Sequence, residues 1–295
     1  LRQRPDTMKT FRKFIAALPL ALGLSLAQAS GGGYPLDHFP VEKLTDVAAL
    51  QSGAKLFVNY CLNCHGASSM RYNRLQDLGL TEDQIRKNLL FSADKVGEQM
   101  KVAITPDDAK EWFGALPPDL SVIARARASG SGSGADWLYT YLRSYYRDST
   151  RATGWNNALF ENVGMPHVFW ELQGTRGVSI EEIKPVKDEK TSAVTGFQKV
   201  TIAFDSAGQR SEKAEKLEGK NHHEKREFAL GKAEGGKLSQ SQYDETVADL
   251  VAYITFMSDP SARARTQLGV WVLLFLSILM VLAWWLNREF WKDVK

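Results

Sequence analysis

Asn59-Tyr60-Cys61-Leu62-Asn63-Cys64-His65-Gly66 (NYCLNCHG) is the stretch on which the reading of this chain turns. Cys-x-x-Cys-His is the attachment motif for c-type haem. Each thiol adds across one of two vinyl groups on neighbouring porphyrin edges, and the next residue then offers its imidazole to the iron. Cys61, Cys64 and His65 are the candidates for these roles, with one haem c as the cofactor. The chain has only 2 cysteines. They cannot frame an exported domain with disulfides, so a specific chemical use is expected. A thioredoxin-like pair would end a strand, and a structural zinc site would need further ligands nearby. Neither context surrounds the motif.

The flanks of the chain say where this motif works. From Met8, MKTFRKFIAALPLALGLSLAQAS has a basic start and an apolar run of about a dozen residues, ending in Ala27-Gln28-Ala29; that is a signal-peptide pattern over 8–29. Residues 1–7 read as an upstream extension. Thr266–Asn287 carries no charge, and ~20 residues in a helix span about 30 Å, the hydrocarbon core of a bilayer. Trp284, Trp285 and Trp291 cluster at one end, as interfacial tryptophans do. The expected organisation is an exported haem domain at 30–262, a transmembrane anchor at 263–287 in contact with lipid, and a cytoplasmic tail at 288–295. Export places the haem domain in the periplasm of a bacterial inner (plasma) membrane.

The whole chain is 295 residues, 44% hydrophobic, 24% charged and +3 in net charge. Residues 30–262 alone hold 27 Lys and Arg against 31 Asp and Glu, a balance of −4. The exported part is therefore mildly acidic, with no nucleic-acid character.

Two amphipathic helices bracket the domain. TDVAALQSGAKLFVNYC sets Val47, Leu50, Ala54, Phe57 and Val58 near helical spacing, with Thr45 or Asp46 as cap. SQSQYDETVADLVAYITFMSDP places Tyr243, Val247, Leu250, Val251 and Ile254 on one stripe, and Pro260 follows its end. The pair resembles the crossed terminal helices of the cytochrome c fold. Gly53 and Phe57 match its contact point, and Tyr253 and Phe256 are candidate partners. The expected fold class is mainly α: a cytochrome c-like haem domain, a charged insertion and one C-terminal transmembrane helix.

Iron has a second axial position. Met70, Met100, Met165, Met257, His38, His167, His222 and His223 are all candidates. NVGMPHVFW is the informative stretch, because Pro166 biases Met165 away from helix and presents it from an extended loop. His167 is its rival two residues on.

GALPPDLSVIARAR (Gly114–Arg127), MRYNRL (Met70–Leu75), NVGMPHVFWEL (Asn162–Leu172) and the C-terminal anchor together resemble the cytochrome c1 family, the haem subunits of the quinol–cytochrome c oxidoreductase (cytochrome bc1) complex. The resemblance covers most of 37–177 and 243–295. It implies Met165 as the axial methionine, Arg127 as the partner of a haem propionate, and a turn at Pro117-Pro118 beside His65. A carbonyl in that turn, as at Pro118, would accept the His65 Nδ1–H. It also implies electron transfer from a Rieske iron–sulfur protein to a soluble basic cytochrome c, beside cytochrome b in a dimeric complex, with no bond made at this subunit.

The chain departs from the family pattern in four places. Trp137 stands where a propionate-binding Tyr is expected, and indole donates but cannot accept. Trp112 and Phe113 replace small polar residues, and ASGSGSGAD (Ala128–Asp136) reads as a flexible loop. The stretch 178–242 reads as a charged insertion whose core, TGFQKVTIAFDSAGQR, alternates like a hairpin. Two rival functions share the motif: a free-standing membrane-anchored cytochrome c shuttle, and a haem-based sensor or peroxidase.

Overall fold

Helix α1 (Val47–Leu56) starts where a side chain can satisfy its free amides: the Asp46 carboxylate accepts from Ala48 N at 2.9 Å. The computed structural model describes residues 34–102, 104–187, 194–218 and 222–293. The expected extension at 1–7 and signal peptide at 8–29 lie outside them. α1 buries Ala49, Leu50, Gly53 and Ala54. Val47, expected on the same stripe, is 48% exposed because it sits in the first turn, beyond the helix crossing.

Five more of the longer helices carry the domain and its anchor: α2 (Glu82–Asn88), α3 (Pro106–Phe113), α4 (Gly134–Arg143) and α5 (Gln240–Ser258) within the domain, then α6 (Ala262–Phe290). α5 buries Tyr243, Val247, Leu250, Val251 and Ile254, the stripe read from sequence. It crosses α1 at Gly53, where a Cβ would lie 2.1 Å from the Asp249 carbonyl oxygen. Only glycine permits that approach. Phe57 packs on Tyr253 with ring centroids 5.5 Å apart, and Phe256 lies against Tyr253 at 6.4 Å.

α4 is held at both ends. Ser133 and Asp136 form a reciprocal capping box. At the far end, Arg143 Nε reaches Asp244 of α5 at 2.6 Å and its Nη1 reaches Asp37 at 2.8 Å. The glycine–serine stretch before α4 is thus an ordered turn, closed by the Ser129–Gly132 bridge. Its Gly134 is needed because a Cβ there would meet the Ala124 carbonyl.

A sheet modifies the mainly α expectation. β1 (Val178–Lys187), β2 (Val194–Phe204), β3 (Arg210–Leu217) and β4 (Lys225–Leu230) form one antiparallel sheet in the order β3-β2-β1-β4. Sequence alternation exposed only the β2–β3 hairpin. β1 hides its period behind Glu181, Glu182, Lys184 and Pro185, and the charges of β3 lie on both faces. Val178, Ile180 and Phe204 pack with Tyr146 and Ala158 as a second, smaller apolar cluster. The sheet leaves and rejoins the domain at a narrow neck, where Gly231 N donates to Gly177 O at 2.9 Å. Beside it, the buried Arg176 guanidinium donates to the Tyr145 carbonyl at 2.8 Å and to the Arg143 carbonyl.

The apolar part of α6, Ala264–Phe290, has a mean hydropathy of 2.4 over its best window and is long and apolar enough to cross a membrane, as the expected anchor requires.

Candidate haem-binding site

The motif follows α1 through one wide turn, Phe57–Cys61, in which Leu62 N donates to Phe57 O at 3.0 Å. Such i→i+5 turns are frequent at functional sites. Past it, Cys64 N and His65 N both donate to Cys61 O, at 3.1 and 2.8 Å, and fold the motif back on itself. Cys61 is 8% exposed. Its burial, with Cys64 beside it, pushes the thiol up to about 12. A thiolate for redox exchange or metal binding is therefore disfavoured there. A thioether carries no charge and suits the same place.

His65 is oriented from behind. Its Nδ1 donates to the Pro118 carbonyl at 2.7 Å, the contact anticipated for that turn, which leaves Nε2 as the ring's free lone pair. Burial lowers the His65 pKa, against the opposing effects of the Pro118 hydrogen bond and Asp119. The turn is itself pinned: Leu120 N donates to Gly66 O at 2.8 Å, and the Asp119 carboxylate accepts from Ser68 N and Ser121 N, each at 2.8 Å.

Cys61, Cys64 and His65 open into a cavity of about 340 Å³. Pro117 and Pro118 line one part of it, and Trp137, Leu138, Tyr141 and Leu142 of α4 another. Leu250 and Ile254 of α5 and the loop Val163–Pro166 complete it. An open cleft of about 540 Å³ between Arg147, Trp155, Trp170 and Thr175 holds none of the motif residues.

Met165 and His167 are separated by this geometry. Met165 lines the cavity; His167 does not. His167 is 2% exposed, stacked on Tyr145 at 4.7 Å and edge-on to Trp155 at 4.9 Å. Burial, helped by nearby Arg176, lowers its pKa to about 3, so it is a neutral core residue. Met70, Met100 and Met257 are core side chains away from the cavity. His38, His222 and His223 also lie outside its lining.

The Met165 loop is set by Asn162, not by its glycine. Asn162 has φ 59°, a left-handed conformation that Asn tolerates better than most residues. Arg151 holds its side chain and its carbonyl at 3.0 and 3.1 Å. Gly164 has no positive φ, and a Cβ there would meet nothing within 4 Å.

Arg127 lines the cavity with its guanidinium 4.3 Å over the Trp137 ring and 5.9 Å from Phe160. Among the described residues no carboxylate pairs with it. Trp137 stacks on Tyr141 at 4.9 Å and 13° on its other side, so this indole serves as a shelf for the guanidinium. Neither Tyr141 nor Phe160, both of which line the cavity, stands out in the sequence as a site residue. The signal for Phe160 is weak: Asn157 Oδ1 accepts from Leu159 N and Phe160 N at 3.0 and 2.9 Å and turns the ring toward the mouth.

A haem fits these residues. The walls are apolar, both cysteines and an oriented imidazole open onto the cavity, a thioether reaches it from a separate loop, and an unpaired guanidinium is available to a carboxylate. Tyr141 O–H donates to Met165 Sδ at 3.5 Å, and Tyr145 O–H to Tyr141 at 2.8 Å. Burial raises both phenols, so each keeps its proton at neutral pH.

The comparisons with known proteins agree with this site. The profile of the cytochrome C1 family matches residues 37–195 and 231–294. The chain is 40% identical over 284 residues to the cytochrome c1 of Allochromatium vinosum, covering 96% of this chain and 99% of that protein. It is 38% identical over 277 residues to a protein of Nitrosomonas europaea named ammonia monooxygenase gamma subunit, covering 94% and 96%. The cytochrome c1 of Rhodospirillum rubrum is 26% identical over 309 residues, covering 95% and 96%. Motif, cavity and matched residues lead to one assignment: the chain belongs to the cytochrome c1 family, the membrane-anchored haem proteins that carry electrons in the cytochrome bc1 complex.

Proposed function

We propose that the cavity holds one haem c, bound by thioethers from Cys61 and Cys64, with His65 Nε2 and Met165 Sδ as its axial ligands. The observation that carries this is the opening of His65 and Met165, from distant segments, into the cavity that both cysteines share, while His167 is sealed in an aromatic cage. When bound, the haem supplies one-electron exchange between ferrous and ferric iron. The protein's part is positional. Pro118 O holds the imidazole, Arg127 on its Trp137 shelf meets a propionate, and the leucines of α4 and α5 keep water from the ring.

The electron comes from a Rieske iron–sulfur protein and leaves to a soluble basic cytochrome c. Met rather than a second His suits that place, because thioether ligation holds the potential high enough to accept from a Rieske centre. α6 anchors the chain beside cytochrome b in a dimeric complex. The haem domain lies on the periplasmic side of a bacterial inner membrane, with the tail in the cytoplasm. The mouth of the cavity supports docking there: Phe113, Leu116 and Phe160 are 42%, 52% and 45% exposed at its rim, and α3 brings Asp107, Asp108 and Glu111 close by. The monooxygenase name of one relative adds no residue to this reading. Among the described residues, no group of three His, Cys, Asp or Glu converges as a non-haem metal site requires.

The test compares two substitutions. Met165→Leu should abolish the sulfur-to-iron charge-transfer band of the ferric protein, lower the midpoint potential and stop quinol-driven reduction, with haem still covalently attached. His167→Ala should keep the band. A band that survives Met165→Leu, or disappears in His167→Ala, refutes the ligand assignment. Carbon monoxide binding to the unaltered reduced protein would favour the sensor or peroxidase reading. Purification without cytochrome b and a Rieske subunit would favour the free-standing shuttle.

A further inference from the structure

Tyr145 is fully buried, and Tyr141 is 9% exposed. Their hydroxyls have few partners to choose from. Tyr145 O–H lies 2.8 Å from the Tyr141 oxygen and 3.3 Å from the Met165 carbonyl. Tyr141 O–H lies 3.5 Å from Met165 Sδ, within the reach of a hydrogen bond to sulfur. The Tyr141 ring cannot swing away, with Trp137 stacked on one face and Tyr145 and Phe160 edge-on at 5.5 and 6.5 Å.

A phenol has one proton to give. Tyr145 gives its proton to the Tyr141 oxygen, so the proton of Tyr141 is free for the sulfur. We infer that Tyr145 and Tyr141 form a directed hydrogen-bond relay onto Met165 that holds its sulfur in place and tunes its strength as a ligand. The inference rests on the reading of Met165 as the axial ligand. A thioether sulfur has two lone pairs. One is offered to iron, and a hydrogen bond to the other withdraws electron density and weakens donation to the metal. A weaker donor disfavours the ferric state, so the relay raises the potential in the direction a Rieske acceptor needs. A donor already polarised by another hydroxyl acts more strongly than an isolated one. Both tyrosines are positioning residues: they act on the iron through Met165.

The experiment is a redox titration of the full-length holoprotein in detergent, read by the reduced haem absorbance and the ferric sulfur-to-iron band. It uses wild type, Tyr141→Phe, Tyr145→Phe and Met165→Leu. Tyr141→Phe should keep the band, displace its wavelength and lower the ferrous-to-ferric ratio at a fixed potential about fivefold, the worth of one ordinary hydrogen bond. Tyr145→Phe should lower the ratio in the same direction by a smaller factor. An unchanged ratio in Tyr141→Phe, with the band lost only in Met165→Leu, overturns the relay and leaves the ligand assignment standing. A band retained in Met165→Leu overturns the assignment itself. A higher ratio in Tyr145→Phe overturns the direction of the relay, because it would mean that Tyr145 had been drawing the Tyr141 proton away from sulfur. Should Tyr141→Phe fail to mature, Tyr145→Phe reads the same relay from its far end: a fall supports it, and no change or a rise refutes it.

Discussion

The haem cradle and the four-stranded sheet are held together in opposite ways. The sheet is a backbone object. β1 and β2 pair over an almost unbroken register from Val178↔Phe204 to Val186↔Gly196, and side chains such as Lys199 and Glu181, 2.9 Å apart, decorate the ladder. Its apolar cluster is small. The cradle is a side-chain object, assembled from helices whose stripes face one space and fixed by a few close contacts. Gly53 at the helix crossing, Pro118 O behind His65 and Asn162 before Met165 are single-residue conditions. Strand pairing tolerates replacement of most side chains, whereas a cradle fails at particular positions.

The sharpest way to break the contrast is at Gly53. Gly53→Ala places a methyl group against the Asp249 carbonyl and should cost about 3 kcal/mol or more, because backbone cannot step aside as a flexible side chain can. Haem-stained membranes on a denaturing gel should show little holoprotein. Near-normal holoprotein would mean that the crossing relaxes easily.

Joining Gly177 directly to Gly231, with Val178–Leu230 removed, tests the other side. The neck already brings these residues together. The variant should lose about 2 kcal/mol from uncovering Tyr146 and Ala158, and melt a few degrees lower. Its haem spectrum and midpoint potential should match wild type. Loss of the ferric sulfur-to-iron band would show that the sheet braces the cradle.

Electrostatics separate the regions again. Asp107→Asn, Asp108→Asn and Glu111→Gln together, on α3, whose last residue Phe113 lines the cavity, should slow oxidation by a basic soluble cytochrome c about three- to tenfold at low salt. They should also flatten its ionic-strength dependence, since screening shortens to about 8 Å at physiological salt. Glu212→Gln, Glu215→Gln and Glu227→Gln in the sheet should change neither. The reverse result would move the docking face to the sheet.

The smallest expected effect is at Asp136, which accepts from Phe39 N at 2.8 Å and Ser133 N at 3.0 Å. Burial alone would raise this carboxyl, but these hydrogen bonds outweigh it and hold the pKa below the ordinary carboxylate value. The stabilisation is therefore complete above the unfolded value of about 4 and fades as pH falls through the lower folded one. Asp136→Ala should cost about 1 kcal/mol at neutral pH. Its melting temperature should converge on that of wild type below about pH 4. A gap that persists in acid would mean that the cap works without its charge.

Sequence and structure coincide where one residue type has one chemical use. The Cys61–His65 motif, the α1 and α5 stripes, the Gly53 approach and the Pro118 carbonyl were all legible, because each is local or carried by a long distinctive block. The family resemblance named Met165 over His167, although residues two apart in an irregular loop have no periodicity to separate them; that Met165 opens into the cavity and His167 does not is read from the structure. Trp137 was legible as a departure but not as a support for Arg127, since the partner is ten positions away across a turn. Tyr141 lies on the buried face of α4 and Tyr145 two residues past its end, where packed aromatics and a hydrogen-bond relay look alike in sequence. The sheet was obscured by charge, which blurs the apolar alternation that marks strands.

The wide turn Phe57–Cys61 sets the phase of the attachment motif. Each residue of an α-helix advances the chain by about 100°, and the Leu62-to-Phe57 bond closes a loop one residue longer than an α turn. α1 and the motif therefore keep separate rotational references, one aimed at α5 and the other at the cavity. Removing one residue at Asn59 or Tyr60 would rotate both thiols by about 100° and leave the α1 crossing untouched. At Asn59 and Tyr60 the turn fixes a count of residues rather than their identity, so substitutions at these two positions are compatible with attachment and a deletion is not.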